Sequence, residues 1–286
     1  MSRPLVSAAF FLVAISARGQ IQVDLKFKRL QYIAYEPVIA TVRITNLAGR
    51  NIELRDSNDQ HWYGFEVTAN DGRTLAPLVQ IPKEPLQIAA GTSVTRKINL
   101  TTRFPISDVG VYHVRANVYF ADLNKYFYAR ARVFEVTTAR PIWQETVGAP
   151  DDGVRTYSLM TNRFPDHTSL YVRVEDRANS VVYATYSLGR VISFDEPHAE
   201  VDSKNQLHVL QCSAPRMWAY SVIGLNGKLL KRASYAQTRS LPRLKRTASG
   251  AVQIAGGMLD VPVSPAVARS AIPKLSDRPA DLPPEE

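Results

Sequence analysis

The chain has 286 residues, 45% of them apolar, with 35 Lys and Arg against 26 Asp and Glu and a formal net charge of +9. That apolar share supports an ordinary buried core and excludes a chain too polar to fold. A single cysteine, Cys212, excludes an internal disulfide, and no run beyond the first twenty residues is long and apolar enough to cross a bilayer as a helix.

Residues 1–19 combine a basic head (Arg3), an apolar run from Leu5 to Ile15 and the small-residue exit Ala17-Arg18-Gly19. That is the layout of a secretory signal peptide. It predicts a mature chain from Gln20 and a periplasmic or extracellular address.

Residues 20–139 repeat with a period of two, which predicts an all-β domain. Val38–Ile44, Trp62–Val67, Val94–Leu100, Val111–Phe120 and Tyr126–Val136 read as strands rich in β-branched and aromatic residues. Asn46–Gly49, Asn70-Asp71-Gly72 and Ala90-Gly91 read as turns between them. In the fourth strand Tyr112, Val114, Ala116 and Val118 are expected to face a core, with His113, Arg115 and Asn117 in water. The strand density is that of a β-sandwich.

Asp108-Val109-Gly110-Val111-Tyr112-His113-Val114 resembles the Asp-x-Gly-x-Tyr-x-Cys corner of immunoglobulin-like domains. The resemblance implies that the Tyr112 hydroxyl bonds back to the backbone, with Asp108 and Gly110 shaping the corner. Val114 stands where that family has its disulfide cysteine. Glu36–Phe120 is also similar to the β-sandwich proteinase-inhibitor family typified by the bacillary intracellular inhibitor (BsuPI-type). That likeness implies an inhibitor, although no inhibitory loop can be carried over.

Residues 140–156, with Pro141, Gly148 and Pro150, read as a linker. Residues 157–259 read as an antiparallel β-meander with internal repetition. Leu170–Val174 and Val182–Tyr186 are echoed by Leu207–Leu210 and Trp218–Val222, with Leu170 to Leu207 and Tyr183 to Tyr220 each thirty-seven residues apart. Asn226-Gly227 is a hairpin signal, and a third return begins at Ser249-Gly250. The pattern resembles β-propeller blades, about two and a half of them, where closure takes at least four. Residues 260–286 are Pro-rich and read as a disordered tail.

Charge is polarised in this half. Asp151–Asp202 holds nine carboxylates against five arginines, and Ser203–Gly250 holds nine bases and no acid. Lys228, Lys231, Arg232, Arg239, Arg243, Lys245 and Arg246 are therefore read as a basic surface for an acidic partner. Trp218 and Tyr220 are read as exposed aromatics for a sugar. In Asp195–Asp202, the residues Glu196, His198, Glu200 and Asp202 would share one face of an extended segment.

There is no phosphate-binding Gly-x-x-x-x-Gly-Lys, no Gly-x-Ser-x-Gly elbow and no His/Cys spacing suited to zinc. His113 and His208 are expected as outward or cross-strand groups, and Cys212 as a small buried hydrophobe. The sequence thus predicts no catalytic residues, no metal and no cofactor. It predicts an exported, non-catalytic binding or scaffold protein of the cell envelope, with a protein or acidic polysaccharide as partner. Nucleic acid and a transmembrane span are not expected. A carbohydrate-binding module and a proteinase inhibitor are the alternatives.

Overall fold

The computed structural model describes residues 20–79, 84–150, 153–192 and 195–260. The leader-like residues 1–19 and tail residues 261–286 lie outside the described residues. The chain is all-β. Among the described residues the only helical turn is a 3-10 turn at Ala121–Leu123. No helix among them is long and apolar enough to cross a membrane. Two compact units divide the chain, residues 1–138 and 139–286.

Unit 1 contains β1 (Ile21–Phe27), β2 (Gln31–Ile33), β3 (Ile39–Asn46), β4 (Ile52–Leu54), β5 (Tyr63–Ala69), β6 (Leu86–Ile88), β7 (Ser93–Asn99), β8 (Gly110–Phe120), β9 (Lys125–Tyr128) and β10 (Arg132–Thr137). One sheet runs β1-β3-β7. The other runs β2-β10-β8-β5, with β9 also on β8, and β4 pairs β6. Val23, Leu25, Val42 and Ile44 of the first sheet share one core with Trp62, Val67, Val114, Val118 and Phe134. Tyr112, Val114, Ala116 and Val118 are buried while His113 and Arg115 are exposed, the alternation expected of a strand with one covered face. Asn46, fully buried, closes this end: its amide donates to the carbonyls of Arg50, Ile88 and Ala89, and its Oδ1 accepts from the Ala48 N–H.

The single strand expected over Tyr126–Val136 is two, β9 and β10, both on the same edge of β8. Tyr128 lies opposite Asn117 and Arg132 opposite Val114, so the register slips by one residue at Arg130-Ala131. A slip of one turns a strand over. Without it Val133 and Glu135 would face the core. With it Phe134 and Val136 are buried and Val133 is exposed.

Unit 2 is layered. β11 (Arg140–Gly148), β12 (Val154–Arg163), β13 (Thr168–Asp176) and β14 (Val181–Val191) form a four-stranded meander. β15 (His198–Val201), β16 (Leu207–Ala214), β17 (Met217–Ile223) and β18 (Leu229–Ala236) form a second. β19 (Arg243–Arg246) and β20 (Val252–Ala255) make a hairpin, and β21 (Met258–Asp260) returns to β18. The expected linker over 140–156 is therefore corrected: among the described residues it contains β11 and the start of β12. Pro141 misled the reading. It sits on an edge strand beside a register shift, where a missing N–H is tolerated.

Tyr157, Leu159, Leu170 and Val172 of the first meander pack with Leu207, Val209 and Ile223 of the second. The second meander's other face, with Leu210, Cys212, Trp218, Tyr220 and Val222, packs on Leu244 and Ile254 of the hairpin. The middle sheet is covered on both sides, and Leu207–Cys212 is buried without alternation. The repeat holds for β13 and β16. It slips in the next strand, where Thr185 opposes Arg173 but Tyr220 opposes Leu210. Tyr183 falls at a bulge in β14, exposed, and is not the counterpart of Tyr220.

Three turns of unit 2 share one geometry. In Asp202–Gln206, Gly224–Lys228 and Thr247–Ala251 the first N–H donates to the fifth carbonyl and the fourth N–H to the first carbonyl. The fourth residue takes positive φ: Asn205 (57°), Gly227 (76°) and Gly250 (80°). These turns touch neighbouring layers. The Asn205 amide donates to the Gly148 carbonyl, and the Ser203 N–H to the Gly250 carbonyl. A Cβ on Gly227 would lie 2.4 Å from the Ala184 Cβ. In unit 1, Ala69–Arg73 has the same bonds with Gly72 at φ 82°, but a Cβ there meets nothing within 4 Å. Gly72→Ala is therefore expected to cost about 1 kcal/mol in urea denaturation, the strain of a left-handed residue alone. Gly227→Ala is expected to cost about 2–4 kcal/mol, because the same strain is joined by overpacking. Equal costs would contradict the close approach of the layers.

Candidate functional site

Strand alternation divides the seven predicted basic residues. Arg232 opposes Ser221 on β17 and turns toward the first meander, where its guanidinium donates to the Leu188 carbonyl at 3.1 Å. Lys231 opposes Val222 on the other face, with its ammonium 5.7 Å from the Tyr220 ring centroid. Arg246 donates to the Val201 carbonyl at 2.6 Å and pairs with Glu200 at 3.6 Å. These contacts give Arg232 and Arg246 structural work. Arg243 and Lys245 lie with exposed Gln253 and Ala255 on the outer face of the hairpin. Lys228 and Arg239 are exposed in turns. Lys228, Arg239, Arg243 and Lys245 make no ion pair among the described residues.

Trp218 and Tyr220 are not exposed. They are 3% and 4% accessible, because the hairpin covers their face of the middle sheet. The sugar-stacking role read for them is corrected on that ground. His208, expected outward or cross-strand, is also buried on this face. Its Nδ1 is 2.7 Å from the Tyr220 hydroxyl and its Nε2 3.1 Å from Asp202 Oδ2. Burial works to raise the Asp202 pKa. The Gln206 N–H, the His208 ring and the Lys204 N–H outweigh it and hold the carboxyl below its ordinary value. With Asp202 accepting, Nε2 donates, and in the neutral ring Nδ1 accepts from Tyr220. Burial, helped by Tyr235 and Asp202, pushes the Tyr220 phenol up to about 12. The chain Asp202–His208–Tyr220 is thus a satisfied interior network.

His198 and Glu200 do share a face, opposite Leu210 and His208. Their neighbours draw the acids apart, Glu200 to Arg246 and Asp202 to His208. Among the described residues no three His, Cys, Asp or Glu side chains are grouped to hold a metal ion. Asp195, His198, Glu200, Trp218, Leu241 and Arg243 instead line a cleft of about 490 Å³ between the hairpin and the middle sheet. The Trp218 Nε1 is buried with no partner among the described residues. Cys212 is buried, its thiol donating to the Ala214 carbonyl, and burial followed by the Asp195 carboxylate raises its pKa. Such a thiol is a poor nucleophile.

In unit 1 the Tyr112 hydroxyl donates to the Asp108 carbonyl at 2.9 Å, and Gly110 has φ 153°. The bond ties the Tyr112 ring to the Asp108 backbone, as the immunoglobulin-like resemblance implies. A second cleft, of about 420 Å³, opens beside β5 and is lined by tyrosines, carboxylates and amides. Sequence reading missed it. Its residues come from a turn, β5, β8 and β9, and only strand pairing brings them together.

No protein-family model and no curated protein matches the chain. Among solved structures it is similar to Spo0M, a sporulation control protein from Bacillus subtilis, with 11% identity over 59% of this chain and 91% of that one. The TM-score is 0.29, and a likeness of that size carries no argument about fold or activity.

Asp202→Asn is expected to destabilise the protein at neutral pH, read by urea denaturation. The folded pKa of Asp202 is depressed, so its contribution is present above the unfolded value and fades as pH falls through the folded one. The gap between wild type and variant should therefore narrow below about pH 4. A gap independent of pH would remove the ionic part of this network.

Proposed function

We propose that the chain is an exported, non-catalytic binding protein of the cell envelope that docks an acidic partner, a protein or an anionic polysaccharide. The observation that carries this reading is the set of exposed cations Arg239, Arg243 and Lys245; Lys228 lies at the other end of β18. They have no acidic neighbour in an ion pair among the described residues and lie in a stretch without Asp or Glu from Ser203 to Leu259. Such a surface steers and holds an opposite charge, with a strength that falls as salt screens it. The engagement of the buried His208 and Cys212 in internal bonds favours binding over catalysis at those two groups. The leader-like residues 1–19 support an address outside the cytoplasm. The immunoglobulin-like reading of unit 1 rests on the corner bond from Tyr112 to Asp108, and fits a binding role without specifying a ligand.

Reversal of three cations, R239E with R243E and K245E, is expected to weaken binding to immobilised polyglutamate about tenfold or more at low salt. The salt needed for elution should fall with it. Arg246 is left alone because its contacts are structural. Unchanged elution from a folded triple variant would remove the basic surface from the reading. Full-length chain made in a Gram-negative host should be recovered in the periplasmic fraction with Gln20 at its N-terminus. Recovery only in the cytoplasm with residues 1–19 attached would remove the exported address.

A further inference from the structure

The cleft of unit 1 has a floor built by strand pairing. Gly64 of β5 stands opposite Asn117 of β8, and Asn117 stands opposite Tyr128 of β9. Directly opposed residues share a face, so the three form a row across the sheet. Gly64 gives the Asn117 side chain room to lie over β5. A Cβ there would come within 2.7 Å of the Asn117 Oδ1. A glycine inside a strand often marks close approach by another group.

The groups around this row are matched to a polyol. The Asn117 amide is half-buried and has no hydrogen-bond partner among the described residues. A ligand hydroxyl can take the place of the water that such an amide otherwise bonds. Tyr128 is 47% accessible and stands beside Tyr126, with ring centroids 6.0 Å apart. The Arg115 guanidinium lies 5.3 Å from the Tyr128 ring centroid and pairs with Glu66 at 3.8 Å. Asp59 and Glu66 line the cleft as acids, and the one guanidinium beside Tyr128, that of Arg115, is already paired with Glu66. That lining disfavours phosphate and uronate, whereas carboxylates and an amide readily bond hydroxyls. The volume of about 420 Å³ suits a small ligand.

An added peptide strand is the competing occupant of a sheet edge. Here the edge is short. The Leu75 N–H donates to the Val67 carbonyl and the Ala69 N–H to the Arg73 carbonyl, so the C-terminal half of β5 is already paired on that side. We propose that this cleft binds one ring of a neutral saccharide, stacked on Tyr128 and hydrogen-bonded by the Asn117 amide, with Asp59 and Glu66 accepting from ring hydroxyls. The site is independent of the basic surface of unit 2.

The test uses the full chain, titrated by NMR and calorimetry with three neutral hexasaccharides: cellohexaose, maltohexaose and chitohexaose. At least one is expected to bind at millimolar concentration or below and to shift the amides of Tyr63–Glu66 and Asn117. Y128A and N117A should each weaken that binding about tenfold. Molar salt and the triple reversal of Arg239, Arg243 and Lys245 should leave it intact, which separates this site from the basic surface. Circular dichroism and urea denaturation establish that each variant is folded. Binding by none of the three sugars, or binding unchanged in both folded variants, overturns the proposal. So does a response of the same amides to an extended peptide and to no sugar.

Discussion

The organisation of unit 2 depends on one constraint: its middle sheet is covered on both faces. A sheet with one wet face can place every polar side chain outward. A sheet between two layers cannot, so most polar groups on β16 and β17 find partners inside, the Trp218 Nε1 being an exception among the described residues. Gln211 donates to the Arg190 carbonyl, and His208 lies between Asp202 and Tyr220. The turns obey the same constraint, since a layer can approach only where the facing turn has no bulk. Gly227 against Ala184 and Gly250 against Ser203 are those places.

That constraint also explains which parts of the molecule were legible in the sequence. Alternation along Tyr112–Val118 identified the covered face of β8 because only one face is covered. The same logic failed at Trp218 and Tyr220. Adjacent to wet positions they would have been half-exposed, but the hairpin that buries them comes from residues 243–255, with no local sign in the strand itself. His208 was misread for the same reason. Pro141 gave a false linker because an edge strand tolerates what a central strand does not. The slip at Arg130-Ala131 has no composition signal, and only the burial of Phe134 over Val133 reveals it. The unit 1 cleft was illegible because Gly64, Asn117 and Tyr128 become neighbours through register alone.

Charge follows topology in a similar way. The basic segment looks uniform as a string. Folded, its residues part company, with Arg232 and Arg246 bonded to carbonyls of adjacent layers and Arg243 and Lys245 directed outward. Two of the cations therefore help join layers, and only the outward set remains to meet a partner. Two acids just before it are likewise divided, Glu200 going to Arg246 and Asp202 to the His208 network. Net charge alone overstates the field such a segment presents.

The hairpin of β19 and β20 decides where the stack of sheets stops. Its inner face is apolar through Leu244, Val252 and Ile254, and its outer face carries Arg243, Lys245 and Gln253. β21 then occupies the far side of β18. A further layer settling on that outer face would have to strip water from cations with nothing to neutralise them. That cost works against open-ended stacking at this end, as the polar outer faces of terminal repeats do in solenoids.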